Sequence, residues 1–195
     1  SSVYGDSTPV PFSETEMAAE PISPYAATKR AAELLCHAQA HLFGLSVVCL
    51  RLFTVYGPRQ RPDLAIHKFA RLMSNGEEIP FFGDGSTERD YTYVSDIVAG
   101  IEGALTWADS AAPGAFEIVN LGESVTTPLS RLVEIIGAEL GVEPRLRRMP
   151  MQPGDVQRTF ADVSPARALF GYNPATPMEE GIRRFVEWFR KQPSG

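Results

Sequence analysis

An apolar run, LSVVCLRLF over residues 45–53, limits the folds open to this chain more than any other feature. A strand that covers one face of a sheet alternates apolar and polar residues, whereas a continuous run predicts a strand buried on both faces of a parallel sheet. The alanine-rich residues before it predict a long helix that starts after Ser23 and stops at Gly44. A helix that leads into such a strand indicates an α/β chain.

The remaining patterns predict more helices and strands. Residues 1–5 read as the end of a buried strand, and Asp63 is a candidate N-cap for a helix that runs through residue 76. Residues 79–94 predict two short extended pieces joined by a Gly-Asp-Gly-Ser turn. The other predicted elements are a helix capped by Ser95, a strand over 115–122, a helix from Thr127-Pro128 to Gly141, a strand-like stretch over 145–148 and two short helices. The fold class is α/β, with a parallel sheet first and a loop-rich second part.

Composition removes several classes of function. The net charge of −6 leaves no basic surface for phosphates, which excludes a general nucleic-acid-binding protein. No apolar run approaches the roughly 20 residues that span a bilayer, so we expect a cytoplasmic protein without a membrane partner. Cys36 and Cys49 lack metal or redox spacing and are expected to be reduced core residues. His37 and His41 lie four residues apart, but without a third ligand they indicate a helix face and no metal site.

Tyr25 and Lys29 are the first candidates for chemistry. They lie four residues apart in the predicted helix, so their side chains share one face. An ammonium near a phenol stabilises the phenolate and lowers its pKa from about 10, which lets the tyrosine accept a proton from an alcohol. The pair alone is a weak signal, because a surface tyrosine stacked on a lysine would have the same spacing.

Several ordered motifs add context to this pair. The chain contains Ser-Ser-Val-Tyr-Gly, Ser-Pro-Tyr-Ala-Ala-Thr-Lys, LRLFTVYGPRQRPD, GDGSTERDYTYVSDIV, FEIVNLG and MQPGDVQRTFADVSPAR. Together they resemble the extended short-chain dehydrogenase/reductase family, in its nucleotide-sugar epimerase/dehydratase branch. The resemblance implies the carboxyl-terminal part of a Rossmann-like parallel sheet in residues 1–62 and about 92–122. It implies a smaller α+β nucleotide-sugar-binding domain in 63–91 and 123–195, and a homodimer.

The same resemblance implies NAD as cofactor, held by a glycine-rich G-x-x-G-x-x-G turn near the start of the family's chains. That turn is absent here, since Gly83-Asp84-Gly85 lies in a later turn. We therefore expect roughly 120 further residues upstream, and no turnover from these 195 residues alone. The family's catalytic serine or threonine stands five residues before the glycine of its Tyr-Gly motif, one position before Ser1. Ser1 and Ser2 adjoin that position and are candidate catalytic residues.

The implied reaction is a transient oxidation at C4 of a UDP-sugar. Tyr25, as phenolate, would take the proton of the 4-hydroxyl, and Lys29 would tune Tyr25 and hold the nicotinamide ribose. Phe53 and Val55 are further candidates for contact with NAD. Relatives that dehydrate or decarboxylate place a glutamate at the position of Ser2, so serine favours epimerisation.

The motifs also imply the substrate. Thr54 and Arg61 match residues that face the sugar C5 substituent in UDP-glucuronate 4-epimerases, and a guanidinium suits a carboxylate. Phe82 is expected to stack on the uracil and Arg89 to bind the diphosphate. The helix after Asp63 would offer N–H groups to the phosphates.

Asp155 is expected to accept hydrogen bonds from the ribose, whereas Gln152 stands where many sugar epimerases have arginine. Other readings remain open at this stage. The substrate could be UDP-glucose or UDP-N-acetylglucosamine, and the chain could be a non-catalytic nucleotide-sugar-binding module or a one-way NADPH-dependent reductase. Arg61 could be a solvated loop residue, and Arg89 could pair with Glu88 or Asp90 instead of a phosphate.

Overall fold

The computed structural model describes residues 1–18, 20–151 and 156–192. Within them lie six α-helices and seven strands, which alternate through most of the chain. In chain order these are α1 (Pro24–Phe43), β1 (Val47–Leu52), β2 (Thr54–Tyr56), α2 (Ala65–Ser74), β3 (Ile79–Phe82), β4 (Glu88–Tyr93), α3 (Val94–Ser110), β5 (Phe116–Leu121), β6 (Thr126–Pro128), α4 (Leu129–Leu140), β7 (Leu146–Met149), α5 (Ser164–Phe170) and α6 (Met178–Phe189). The predicted α/β class with parallel strands is confirmed.

The predicted helix before the apolar run is α1, and its two ends form as its local sequence requires. The Ser23 hydroxyl accepts the N–H of Ala26 at 3.1 Å, which satisfies one of the free donors of the first turn. Pro24 occupies the first helical position, where a missing N–H costs nothing. Gly44 ends the helix in the left-handed region at φ 67°, which a side chain would disfavour.

The strands form small sheets. β1 and β5 pair in parallel from Val47 opposite Phe116 to Leu52 opposite Leu121. β4 is central in a second sheet, parallel to β2 and antiparallel to β6. The two extended pieces predicted over residues 79–94 are β3 and β4, but they do not pair with each other: β3 pairs with β7 in a third sheet. Arg147 and Arg148 are thus part of a strand, as predicted, whereas Arg145 lies just before it.

Three local predictions are wrong. Residues Ser2–Tyr4 form a 3₁₀ turn, not a strand, because the chain reverses at Gly5, whose φ is 70°. Asp63 does not cap α2; the N-cap residue is Leu64, and the Asp63 carboxylate pairs with Arg61 instead. Ser95 lies inside α3, because β4 runs directly into this helix without a capping residue between them.

Two clusters of buried apolar side chains hold the fold together. The first packs β3 and helices α2, α4 and α6 around side chains such as Ile66, Ile136 and Phe185. The second joins the opening turn to β5 and α5 through Tyr4, Leu121 and neighbouring residues. The carboxyl ends of β1, β2 and β5 lie where the two clusters meet, which is where open parallel sheets bind ligands. Within the described part of the chain, no helix is long and apolar enough to cross a membrane.

Candidate active site

The predicted catalytic pair shares one cavity. Tyr25 and Lys29 project from the first two turns of α1, and the Lys29 Nζ lies 5.4 Å from the centroid of the Tyr25 ring. Ser1 and Ser2 line the same cavity, which has a volume of about 330 Å³. The nitrogen of Ser1 donates to the Leu52 carbonyl at 2.8 Å, so the two serines lie at the carboxyl end of β1. The structure therefore brings all four predicted catalytic residues together.

A buried ion pair forms one wall of this cavity. The Arg51 Nε and Nη2 donate to the two oxygens of Glu33 at 2.8 and 2.9 Å, and Arg30 adds a third bond at 2.7 Å. Burial alone would raise the pKa of the Glu33 carboxyl, but the hydrogen bonds from Arg51 and Arg30 lower it. Glu33 lies one helical turn after Lys29. The Arg51–Glu33 pair therefore fixes α1 against β1 beside the predicted catalytic residues. Sequence reasoning missed it, although a glutamate and an arginine inside two apolar patterns were a signal.

A second buried network holds the opening turn in place. The Tyr4 hydroxyl donates to Asn120 Oδ1 at 2.7 Å, and Asn120 Nδ2 donates to the Phe12 carbonyl at 2.8 Å. Burial raises the pKa of Tyr4, so it acts as a neutral donor. The Arg51 guanidinium lies 4.7 Å from the centroid of the Tyr4 ring. Ser1 and Ser2 are thereby attached to β5 as well as to β1.

Two further cavities lie next to the cavity of Tyr25 and Lys29 and share lining residues. The second, about 530 Å³, is lined by Ser1, Ser2 and Arg89. The third, about 270 Å³, is lined by Arg89, Phe82, the start of α2 and Lys68. The first two cavities share Ser1 and Ser2, and the second and third share Arg89, so the three lie side by side between the tyrosine and lysine and Phe82. Lys68 was missed from the sequence, where nothing distinguished it from other charged residues of an amphipathic helix.

Arg89 and its two acidic neighbours have separate surroundings. The Arg89 Nη1 donates to the Glu88 carbonyl at 2.9 Å. The Glu88 carboxylate forms an ion pair with Arg158 at 2.8 Å. The Asp90 carboxylate points into the protein, where it accepts several backbone N–H groups. Arg89 lines both outer cavities, in a position suited to an anion.

Asp90 is a buried connector that sequence reasoning did not identify. Its side chain is fully buried, and its oxygens accept hydrogen bonds from the N–H groups of Glu123, Ser124 and Ala161 and from the Thr92 hydroxyl. Burial raises the pKa of the Asp90 carboxyl, and these hydrogen bonds offset part of that rise. The residue next to Arg89 therefore ties β4 to the segment after β5 and to the segment before α5.

The other predicted site residues occupy the strand and loop after β1. Phe53 is buried in the second cluster of apolar side chains, and Val55 packs against that cluster, so both side chains contribute to the core. Thr54 starts β2 opposite Tyr91. Arg61 lies on the exposed loop that follows, where its Nη2 is 3.0 Å from the Asp63 carboxylate.

Gln152 and Asp155 lie outside the described residues. Cys36 and Cys49 line the catalytic cavity, on α1 and β1 respectively, and are free thiols. Burial raises the pKa of Cys49 to about 12, and the neighbouring Cys36 contributes to that rise. A thiol with such a pKa stays protonated near neutral pH, so Cys49 is suited to packing and not to nucleophilic chemistry.

The chain is similar to several known proteins over most of its length. UDP-glucuronate 4-epimerase 5 of Arabidopsis thaliana is 41% identical over 201 residues, which cover 97% of this chain and 46% of that protein. The crystal structure of UDP-glucuronic acid 4-epimerase from Bacillus cereus, in complex with UDP-glucuronic acid and NAD, matches with a TM-score of 0.88 and 32% identity. It covers 98% of this chain and 59% of that one.

A third protein widens the range of sugars. UDP-N-acetylglucosamine 4-epimerase from Methanobrevibacter ruminantium matches with a TM-score of 0.89 and 32% identity, over 99% of this chain and 61% of that one. The chain thus spans about half to three-fifths of the length of the proteins that it matches. The profile of the NAD dependent epimerase/dehydratase family matches residues 1–122. The chain is a member of that family.

Proposed function

We propose that this chain forms the catalytic and nucleotide-sugar-binding part of an NAD-dependent UDP-sugar 4-epimerase, and that its substrate is UDP-glucuronate. The observation that carries the proposal is the shared cavity of Tyr25, Lys29 and the two serines, which adjoins the cavities of Arg89 and Phe82. This arrangement places a proton acceptor in one cavity and an anion-binding cation in the neighbouring ones. Family membership and the solved epimerases support the same reading.

The donor set of the catalytic cavity fits a nicotinamide ribose. The Tyr25 phenol is 62% exposed and Lys29 carries three ammonium donors, so both can reach hydroxyl groups of a ligand. NAD, when bound, would accept the hydride from C4 as the alcohol is oxidised and would return it as the ketone is reduced. Tyr25 would take the proton of the 4-hydroxyl. It would return the proton after the 4-keto sugar has rotated in the site. Lys29 places its ammonium 5.4 Å from the centroid of the Tyr25 ring, on the same cavity.

The outer cavities suit a uridine diphosphate. Arg89 and Lys68 are two cations on one cavity, and the N-terminal end of α2, with the positive end of its dipole, lies beside them. Phe82 is half-buried at the same cavity and offers a ring face for a base. We place the diphosphate between Arg89 and Lys68 and the uracil against Phe82.

Arg61 supports glucuronate over a neutral sugar. Its guanidinium already binds a carboxylate, that of Asp63, in an exposed pair that water weakens. A substrate carboxylate can replace Asp63 in that pair, whereas the hydroxymethyl group of glucose offers no charge. The alternative is a neutral-sugar epimerase such as the Methanobrevibacter ruminantium protein, in which Asp63 would keep its pair with Arg61 when the sugar is bound.

We further propose that the two buried clusters correspond to two domains, with residues 1–62 and about 92–122 in the cofactor-binding one. The rest of the chain, 63–91 and 123–195, would bind the nucleotide sugar. The first cluster draws on α2, α4 and α6, which supports this division, whereas α5 packs in the second cluster.

A homodimer is proposed from the outer face of α1. Leu34, Leu35, Leu42 and Phe43 are between 58% and 68% exposed there, an apolar surface of the kind that subunit interfaces cover. Light scattering should give twice the chain mass, and Leu35→Glu should return the monomer mass. Val125→Glu is the matched control, because Val125 is equally apolar and 62% exposed but lies far along the chain.

Binding and turnover test the proposed activity. Calorimetry should show that the 195-residue chain binds UDP-glucuronate, and that Arg89→Ala and Phe82→Ala weaken this binding while Gln192→Ala does not. For turnover, the cofactor-binding segment of the Bacillus cereus epimerase is fused before Ser1, and NMR follows the sugar after NAD and UDP-glucuronate are added. Formation of UDP-galacturonate supports the proposal. If the chain binds neither UDP nor a UDP-sugar, the proposal is refuted.

A further inference from the structure

The loop that carries Arg61 is held by a single glutamine. Gln60 uses all four of its polar groups: its N–H donates to the Gly57 carbonyl at 3.1 Å and its Nε2 donates to the Val55 carbonyl at 3.1 Å. Its Oε1 accepts the N–H of His67 at 3.2 Å, and its carbonyl oxygen lies 2.6 Å from the His67 Nδ1. The glutamine therefore ties the end of β2 to the first turn of α2.

His67 is itself fixed from the other side. Because a carbonyl oxygen only accepts hydrogen bonds, the His67 Nδ1 must carry the proton that it donates to Gln60. The His67 ring meets Phe185, Trp188 and Phe189 of α6 edge-on, with centroids between 5.6 and 5.7 Å apart. These ring contacts pack the imidazole against α6, so α6 supports the direction of the bond to Gln60.

These hydrogen bonds hold the backbone beside Arg61 in place, whereas the Arg61 side chain is exposed. Arg61 follows Gln60 directly, and its carbonyl accepts the N–H of Leu64 at 3.2 Å. Its side chain is 72% exposed and makes its ion pair with Asp63. A long side chain on a fixed backbone loses less conformational entropy on binding than one on a mobile loop. Rearrangement of the loop would displace the guanidinium, and small misplacements of a binding group are costly.

We propose that Gln60 and His67 form a clamp that positions Arg61, and that this clamp sets the preference of the site for a C5 carboxylate over a hydroxymethyl group. The inference rests on the proposed function, in which Arg61 receives the uronate. Neither Gln60 nor His67 needs to touch the sugar, so both are positioning residues. The clamp acts on the ratio of two affinities and leaves the UDP part of the site unchanged.

The test is calorimetric binding of UDP-glucuronate, UDP-glucose and UDP to the 195-residue chain. We expect Gln60→Ala to lower the ratio of glucuronate to glucose affinity by about tenfold while UDP affinity stays constant. His67→Phe keeps a ring among the α6 aromatics but removes the donor, and it should lower the ratio by a smaller factor. Gln192→Ala, a glutamine whose Nε2 bonds to the Trp188 carbonyl at the end of α6, should leave the ratio unchanged.

The outcomes distinguish failure of the proposed uronate substrate from failure of the proposed role of Gln60 and His67. If the wild-type chain shows no preference for glucuronate, the uronate substrate is wrong and the clamp has no specificity to set. If the wild type prefers glucuronate and Gln60→Ala keeps that preference, the clamp alone is refuted. A Gln60→Ala chain that loses UDP affinity in equal measure also refutes it, because the glutamine would then support the fold and not the direction of Arg61.

Discussion

Replacement of Asp90 by asparagine changes one atom in a fully buried carboxylate and tests how the site is held together. Oδ1 accepts the N–H of Glu123 at 2.7 Å and the Thr92 hydroxyl at 3.1 Å. Oδ2 accepts the N–H groups of Ser124 and Ala161, each at 3.1 Å. An asparagine amide must therefore put its NH₂ group against donors in either orientation.

The two orientations differ in cost. With the NH₂ group at the Oδ2 position, two backbone N–H groups lose their acceptor. With the NH₂ group at the Oδ1 position, the Thr92 hydroxyl can rotate to accept, and only the Glu123 N–H is left without a partner. An unpaired buried donor costs about 1 to 3 kcal/mol, and the two remaining bonds lose about 1 kcal/mol each with the charge. Cheaper burial of a neutral amide offsets part of this, which leaves a loss of about 2 to 4 kcal/mol.

Urea unfolding at pH 7 measures this free energy. The control is Asp84→Asn, because Asp84 is exposed and its carboxylate accepts the N–H of Ser86 at 2.9 Å in a turn that asparagine also adopts. We expect the control to change the free energy of unfolding by less than about 0.5 kcal/mol. If Asp90→Asn is equally mild, the hydrogen bonds around Asp90 do not carry the load that the structure assigns to them.

Three further changes have defined outcomes. Glu33→Gln leaves the Arg51 charge buried without its carboxylate and should lower the free energy of unfolding by about 3 to 5 kcal/mol in urea, with a smaller change refuting the buried pair. Ser23→Ala removes the cap of α1 and should cost about 1 kcal/mol by the same measurement. Burial, with help from Asp96, raises the pKa of Glu123 from 4.5 to about 7, so the folded state holds this proton more tightly than the unfolded state. The stability that Glu123 contributes is thus present below pH 4.5 and lost as the pH rises to 7. Glu123→Gln should therefore be more stable than the wild type above pH 7, and thermal melts should show the gap closing toward pH 4.5; a gap that does not depend on pH would contradict this.

Local signals in the sequence were sufficient for α1 and for the presence of the strand after it, but β1 is mostly half-buried and not buried on both faces as predicted. The cap at Ser23, the proline after it and the stop at Gly44 act within a few residues, so their physics is contained in the sequence around them. The pair of Tyr25 and Lys29 was also readable, because a spacing of four residues on a helix sets a shared face. The family motifs added Ser1, Arg89 and Phe82, which line neighbouring cavities.

Long-range partners were not readable. β3 and β4 follow each other in sequence but pair with β7 and with β2 and β6, because strand pairing depends on contacts far apart in the chain. Asp90 looked like a possible partner of Arg89, yet its acceptors are filled by donors from residues 123–124 and 161. The 3₁₀ turn at residues 2–4 was read as a strand because its apolar residues are buried, and burial alone does not distinguish the two.

The central claim is that Tyr25 accepts the proton of a sugar hydroxyl beside Lys29. Its most direct test is the rate of UDP-glucuronate epimerisation by the fusion protein described above, with phenylalanine in place of Tyr25. Tyr25→Phe keeps the ring beside the ammonium and removes only the hydroxyl, so we predict a fall in kcat of about 10² to 10⁴ with unchanged affinity for UDP-glucuronate. A Tyr25→Phe protein that turns over at the rate of its parent would contradict the account.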